Sequence, residues 1–325
     1  MFANDFETGL VSVLVTTYNR SIMLRDAIGS VIAQTYPKWE VVIVDDGSTD
    51  NTSEVVEEFR KIHGSERIRY FYQKNKGPQD ARNRGMAESK GELIQFLDSD
   101  DMLHPKKLAI QASFLNRNPS LEFVVGAILD FDDPNNILLD IPLMPWPPMS
   151  LEMFTGGTFF LIHAPLFRRE SLRRVGPWDE GLVFAHETNY FGRVLACGLR
   201  GQYTPTAVGY RRTHKGRYSS TLERRAKAEG MERAYAGICE AAEKNGVPVP
   251  SVLRRALVWC QLEVLSHSGE KQAVLKSLDE AGRLLKPNQH LAKMKLRYSR
   301  IVVKTFGTKV LLELLGLVKR PWRTG

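Results

Sequence analysis

Four short apolar runs, each ending in a polar turn and each followed by a helical stretch, constrain this chain more than any other feature. The runs are Leu10–Thr16, Glu40–Val44, Ile68–Tyr72 and Leu93–Leu97. Short, nearly continuous runs rich in β-branched residues predict strands buried on both faces. The stretches between and after them, Ser21–Gln34, Thr52–His63, Gln79–Ser89 and Lys106–Asn116, carry apolar residues at helical spacing, as at Leu24, Ala27, Ile28, Val31 and Ile32. Asp50 or Asn51 is available to cap the second of these helices. Strand–helix alternation of this kind predicts a mostly parallel sheet with helices on both faces. Ligands of such sheets bind outside the carboxyl ends of the strands.

Those carboxyl ends are where the polar clusters fall. Thr16-Thr-Tyr-Asn-Arg20 follows the first run, Asp45-Asp-Gly-Ser48 the second, and Asp98-Ser-Asp-Asp101 the fourth. Taken alone, Asp98, Asp100 and Asp101 are either ligands for a hard divalent ion, which takes carboxylate oxygen, or a solvated turn capping the helix that begins near Pro105. One such cluster is ordinary turn chemistry, because Asp, Asn, Gly and Ser favour turns. Three on one rim suit a nucleobase, a ribose and a metal-bound diphosphate instead.

The next part of the chain predicts a strand at Phe123–Asp130, a Pro- and Asn-rich loop from Asp132 to Ser150, short helices at Glu170–Arg174 and Thr188–Cys197, and a strand at Thr206–Arg212. Beyond about residue 218 the texture is helical: Glu223–Lys244, Ser251–His267, Lys271–Leu285 and Leu291 to about Val318. Two domains are therefore expected, 1–218 and 219–325.

Val11-Ser-Val-Leu-Val-Thr-Thr-Tyr-Asn-Arg20 and Ala33-Gln-Thr-Tyr-Pro-Lys-Trp-Glu-Val-Val-Ile-Val-Asp-Asp-Gly-Ser-Thr-Asp50 resemble the opening of family-2 glycosyltransferases of the GT-A fold. Asn75-Lys-Gly-Pro-Gln-Asp-Ala-Arg-Asn-Arg-Gly85, Gly91-Glu-Leu-Ile-Gln-Phe-Leu-Asp-Ser-Asp-Asp101 and, more weakly, Leu166–Glu180 continue the resemblance, which covers roughly residues 10–215. It implies a transferase that uses a nucleotide-activated sugar, usually a uridine diphosphate sugar, with inversion at the anomeric carbon. By position, Thr16 and Tyr18 would contact the base, Asp46 the base or ribose, and Arg82 would lie near the nucleotide. Asp98 and Asp100 match the family's Asp-x-Asp motif for Mg²⁺ or Mn²⁺, with Asp100 the direct ligand.

The resemblance also implies a catalytic base that takes the acceptor hydroxyl's proton. Glu187 falls where the family places an Asp, and His186 where it places a Glu. A helix N-terminal carboxylate favoured by the macrodipole is the structural alternative for Glu187. Tyr210-Arg-Arg-Thr-His214 resembles the segment that closes over the diphosphate, with His214 on the metal or phosphate and Arg211 or Arg212 as a clamp. The Gln-x-x-Arg-Trp motif of processive members is absent from the sequence, so addition of a single sugar is expected. The expected acceptor is a glycan or lipid-linked saccharide of cell-surface polysaccharide synthesis. Two rival readings are a catalytically inactive sugar-nucleotide binder or scaffold, and a sugar nucleotidyltransferase. The latter normally carries a Gly-rich basic loop where this chain has Thr-Thr-Tyr-Asn.

The net charge of +8 conceals a gradient. Residues 1–210 hold 21 Lys and Arg against 27 Asp and Glu, whereas 211–325 hold 24 against 10. Within 301–318, Val302, Val303, Phe306, Val310, Leu314 and Leu317 share one helical face flanked by basic residues. Such a helix suits an anionic membrane interface; packing on the catalytic domain is the alternative. Nucleic acid is not expected as a partner, because no recognition motif accompanies the charge. The first eight residues carry no apolar signal core. Cys197, Cys239 and Cys260 follow no metal or disulfide spacing. A cytoplasmic protein is expected, peripheral at the inner membrane face if the basic helix docks there.

Overall fold

A computed structural model of the chain describes residues 5–133, 149–152, 161–213, 224–268, 271–283 and 299–300. Strands β1 (Glu7–Thr17), β2 (Trp39–Asp45), β3 (Ile68–Tyr72) and β4 (Gly91–Asp98) form where the apolar runs predict them. They alternate with α1 (Ser21–Ile32), α2 (Thr52–His63) and α3 (Pro78–Glu88), and α4 (Lys107–Arg117) follows. The remaining strands are β5 (Met102–Leu103), β6 (Phe123–Phe131), β7 (Pro165–Arg168) and β8 (Gly201–Arg212). All eight join one sheet in the order β3-β2-β1-β4-β7-β6-β8-β5. The half containing β3, β2, β1 and β4 is parallel, while β7 runs antiparallel to both of its neighbours.

The alternation of side chains explains the layering. Val13, Val15, Val41 and Ile43 point to one face and join a fully buried cluster with Leu24, Ile28 and Val31 of α1. Leu14 and Val44 point to the other face, where Gly85 of α3 lets the helix backbone close on them. A β-carbon on Gly85 would stand 3.6 Å from both. Every residue of β2 is buried, as a central parallel strand requires.

The chain divides into two compact units. The first comprises Met1–Met149, Phe160–Gly181 and Leu199–Lys215 and contains the sheet; the second comprises Ser150–Phe159, Leu182–Gly198 and Gly216–Gly325. In the second unit, α6 (His186–Ala196) packs with α7 (Arg224–Lys244), which pairs with α8 (Ser251–Ser268), followed by α9 (Lys271–Arg283). Helix α6 lies inside the span 1–218 yet groups with these helices. Gly237 of α7 admits the Asn189 side chain, whose amide donates to the Ala234 carbonyl. The short helix α5 (Arg169–Val175) belongs to the first unit. All three cysteines are buried and none is in a disulfide. Among the described residues, no helix is long and apolar enough to cross a membrane. The basic segment 301–318 lies outside the described residues.

Candidate active site at the carboxyl rim of the sheet

Strand β1 lies between β2 and β4, so the chain turns outward in opposite directions from it. That is the switch point where open α/β sheets bind ligands. The register is explicit: Thr16 is paired with Val44 on one side and Asp98 on the other, and Thr17 with Asp45. The turns after these three strands therefore share one rim.

The first two turns are laced together. Asn19, at φ +50°, donates its backbone N–H to Ser48 Oγ at 2.8 Å and accepts from the Thr49 N–H at 2.8 Å. The Ser21 N–H donates to Asp50 Oδ2 at 3.0 Å. This lacing leaves Tyr18 49% exposed, an aromatic face open to solvent beside the rim. Asp45 is internal, accepting from the Ser48 N–H and from the Tyr70 hydroxyl at 2.6 Å. Burial, then that bond and the Asp45 charge, push the Tyr70 phenol well above its ordinary pKa.

Asp46 organises the turn that starts α3. Its carboxylate accepts from Gln73 Nε2 at 2.9 Å, the Lys76 N–H at 2.9 Å and the Gly77 N–H at 2.8 Å. Next to it, Gly47 has φ +91°, and a β-carbon there would stand 2.9 Å from the Asn75 nitrogen. Only glycine combines that backbone with that approach.

The third turn gathers the acids. Ligand oxygens of Asp98, Asp100 and Asp101 all lie within 4.8 Å of one another. At that separation, like charges repel by roughly 3 kcal/mol per pair at an effective dielectric near 20. Each acid faces a basic group. Arg82 of α3 donates from Nη2 to Asp98 Oδ1 at 2.9 Å, Arg20 Nη1 stands 2.6 Å from Asp100 Oδ2, and His163 Nδ1 stands 3.1 Å from Asp101 Oδ2. Arg82 is only 4% exposed and lies over the Trp178 ring at 4.8 Å, and its Nε and Nη1 are buried without a hydrogen-bond partner. Unsatisfied guanidinium donors beside an acidic turn are costly in a bare protein and suit an anionic group.

The donor set also fits a hard divalent ion. It is all oxygen, and oxygens on opposite sides of Mg²⁺ stand about 4 Å apart given its 2.0–2.1 Å bonds. The observed spread is within a small side-chain adjustment of that. The arginine held against Asp100 marks a place where positive charge is favoured.

The residues expected at the site fall into three groups. Thr16, Tyr18, Asp46, Arg82, Asp98 and Asp100 belong to the first unit and its rim. Glu187 belongs to the second unit, half-buried in the first turn of α6, which follows Ala185 at φ +61°. His214 lies outside the described residues. Of the two arginines before it, Arg211 forms a two-point pair with Asp130, both contacts 2.6 Å, and Arg212 turns to the acidic turn. His163 and Asp26, the latter bound by Arg212, carry no motif in the sequence. Arg20 does lie in a quoted motif, but its partner is visible only in three dimensions.

The profile of Glycosyl transferase family 2 matches residues 12–176. An uncharacterized glycosyltransferase of Nostoc sp. is 30% identical over 240 residues, covering 68% of this chain and 72% of that protein. A putative teichuronic acid biosynthesis glycosyltransferase, TuaG of Bacillus subtilis, is 40% identical over 107 residues, 33% of this chain and 42% of that protein. An uncharacterized glycosyltransferase of Rickettsia felis is 45% identical over 108 residues, but the match spans only 17% of its length. Among solved structures, S. aureus TarS 1-349 in complex with UDP-GlcNAc has a TM-score of 0.64 at 18% identity, covering 95% of this chain and 92% of that one. The mannosyltransferase PcManGT from Pyrobaculum calidifontis, in complex with GDP-Man and Mn²⁺, has a TM-score of 0.54 at 20% identity, covering 94% and 84%.

Proposed function

The chain belongs to glycosyl transferase family 2 and is a glycosyltransferase of the GT-A fold, and we propose that it transfers one sugar, with inversion and divalent-metal assistance, from a uridine diphosphate sugar to a glycan or lipid-linked saccharide. The observation that carries this reading is the rim itself. Three carboxylates on one turn, in register beside Thr16, are flanked by a buried arginine with unpartnered donors.

In this reading Tyr18 stacks on the base, Thr16 and Asp46 hold the nucleoside, and Asp98, Asp100 and His214 hold the cation. A bound Mg²⁺ or Mn²⁺ supplies Lewis-acid neutralisation of charge developing on the diphosphate. Arg82 adds fixed positive charge to the same region, already desolvated and so requiring no reorganisation. Glu187 takes the proton of the acceptor hydroxyl as its oxygen bonds to the anomeric carbon. The bond from that carbon to the diphosphate breaks on the opposite face, and the nucleoside diphosphate leaves with the electron pair. Glu187 is one methylene longer than the Asp the family usually carries at this position.

The similarity to TuaG, a putative teichuronic acid biosynthesis glycosyltransferase, supports a cell-surface polysaccharide as the destination. The basic apolar segment 301–318 would hold the enzyme at the cytoplasmic membrane face. Calorimetric titration of UDP with and without Mn²⁺, followed by assay of UDP release from a panel of nucleotide sugars, tests the reading. Uptake of UDP strengthened by Mn²⁺ is expected. Metal-independent or absent uptake sinks it.

A further inference from the structure

We propose that Arg212, at the end of β8, is a positioning residue that sets the geometry of the Asp98–Asp101 turn for its cation; this rests on the metal-binding reading above. Its three hydrogen bonds reach two remote parts of the chain. The backbone N–H donates to Asp101 Oδ1 at 2.9 Å, Nε donates to the Asp100 carbonyl at 3.0 Å, and Nη2 donates to Asp26 Oδ2 on α1 at 2.6 Å. The guanidinium lies 4.6 Å from the centroid of Phe131, and its side chain is only 10% exposed. One planar group thus joins the acidic turn, α1 and the end of β6.

The chemistry of the turn gives that brace a purpose. The turn closes on itself through one backbone bond, Asp101 N–H to the Asp98 carbonyl at 3.1 Å. The same planar peptide presents the Asp100 carbonyl to Arg212 Nε, so the unit between Asp100 and Asp101 is held at both its N–H and its C=O. Arg212 takes the Asp100 carbonyl directly and holds the Asp101 carboxylate through its own main-chain N–H, so the two later acids of the turn are held from one side. Asp26 holds the guanidinium from the far side. A lysine offers no two-ended fork of this kind. Groups that orient metal ligands without touching the metal commonly change its affinity by about 10- to 100-fold when removed.

The test uses the full chain and the variants Arg212→Met and Asp26→Asn. Mn²⁺ affinity is measured by the electron paramagnetic resonance signal of free Mn²⁺ at saturating UDP, alongside the thermal midpoint. The expected result is Mn²⁺ binding weakened about 10-fold or more in Arg212→Met and weakened in the same direction by Asp26→Asn, in folded protein. A brace serving stability alone would lower the midpoint and leave the affinity of the folded protein unchanged, which overturns the proposal. If Arg212→Met does not fold, Asp26→Asn decides on the same criterion. Wild-type protein that takes up no Mn²⁺ with UDP overturns this proposal together with the reading beneath it.

Discussion

Arg20 Nη1 lies 2.6 Å from Asp100 Oδ2, so the carboxylate we propose as the metal ligand is held by a cation belonging to the chain. Arg20 ends the first rim turn and Asp100 lies in the third, and 80 residues of sequence separate them. The pair is partly open to solvent and therefore weak enough to exchange. An ion binding there as proposed would compete with a guanidinium already in place.

Replacing Asp100 by Ala removes that competition and the ligand together. Transfer is expected to fall by about 10²- to 10³-fold, the rate equivalent of the several kcal/mol that a Lewis acid contributes. The far-ultraviolet circular dichroism should match wild type, because Asp100 belongs to no strand or helix. Turnover within a few-fold of normal in folded Asp100→Ala, measured by UDP release, would remove the metal from this turn.

Glu187→Gln keeps the side chain's size and removes its basicity. UDP affinity should be unchanged while sugar transfer drops by about 10²-fold or more, the usual yield of a positioned base. The measurement is a split between donor binding by calorimetry and transfer by product formation. A variant that loses donor binding as well would show Glu187 acting on the nucleotide and not on the acceptor.

The basic segment makes a prediction independent of the active site. A chain lacking residues 290–325 should stay in the supernatant with anionic vesicles that sediment the full chain, and 0.5 M salt should release the full chain too, since charge attraction at a surface is screened within about 3–10 Å at such ionic strengths. Equal sedimentation of both chains would assign the segment to packing.

The legibility of this fold follows the strength of each local pattern. Helix α2 occupies the span Thr52–His63 that its periodicity predicts, and β2, with its apolar run Val41–Val44, is buried throughout. Strand β7 is four residues beginning with Pro165, too short for any periodicity, and it is held by pairing with β4 and β6. Strand β8 starts at Gly201, five residues before its β-branched run, because pairing with β6 extends it. At the rim, the acids and Arg82 stand inside motifs. The Arg212–Asp26 contact joins residues 186 apart, and Asp26 stands in no motif, so only the folded chain brings the pair into view.

The least expected polar group in the sheet unit is Lys107, and it carries the last prediction. Its side chain is fully buried; Nζ donates to Gln95 Oε1 at 2.7 Å, to Gln111 Oε1, and weakly to the Ala164 carbonyl at 3.3 Å. Lys107→Met would leave these buried acceptors without that donor, costing about 2–5 kcal/mol at neutral pH, read from the urea midpoint. Burial holds the Lys107 ammonium well below its ordinary pKa. The unfolded chain therefore binds more protons than the folded one between the folded-state value and about 10.4. Stability attributable to Lys107 must rise with pH across that window and level off above it. Comparing wild type with Lys107→Met over the same range isolates this group from the tyrosines. A difference that falls as pH rises would mean that the three acceptors hold the ammonium charged more firmly than burial opposes it.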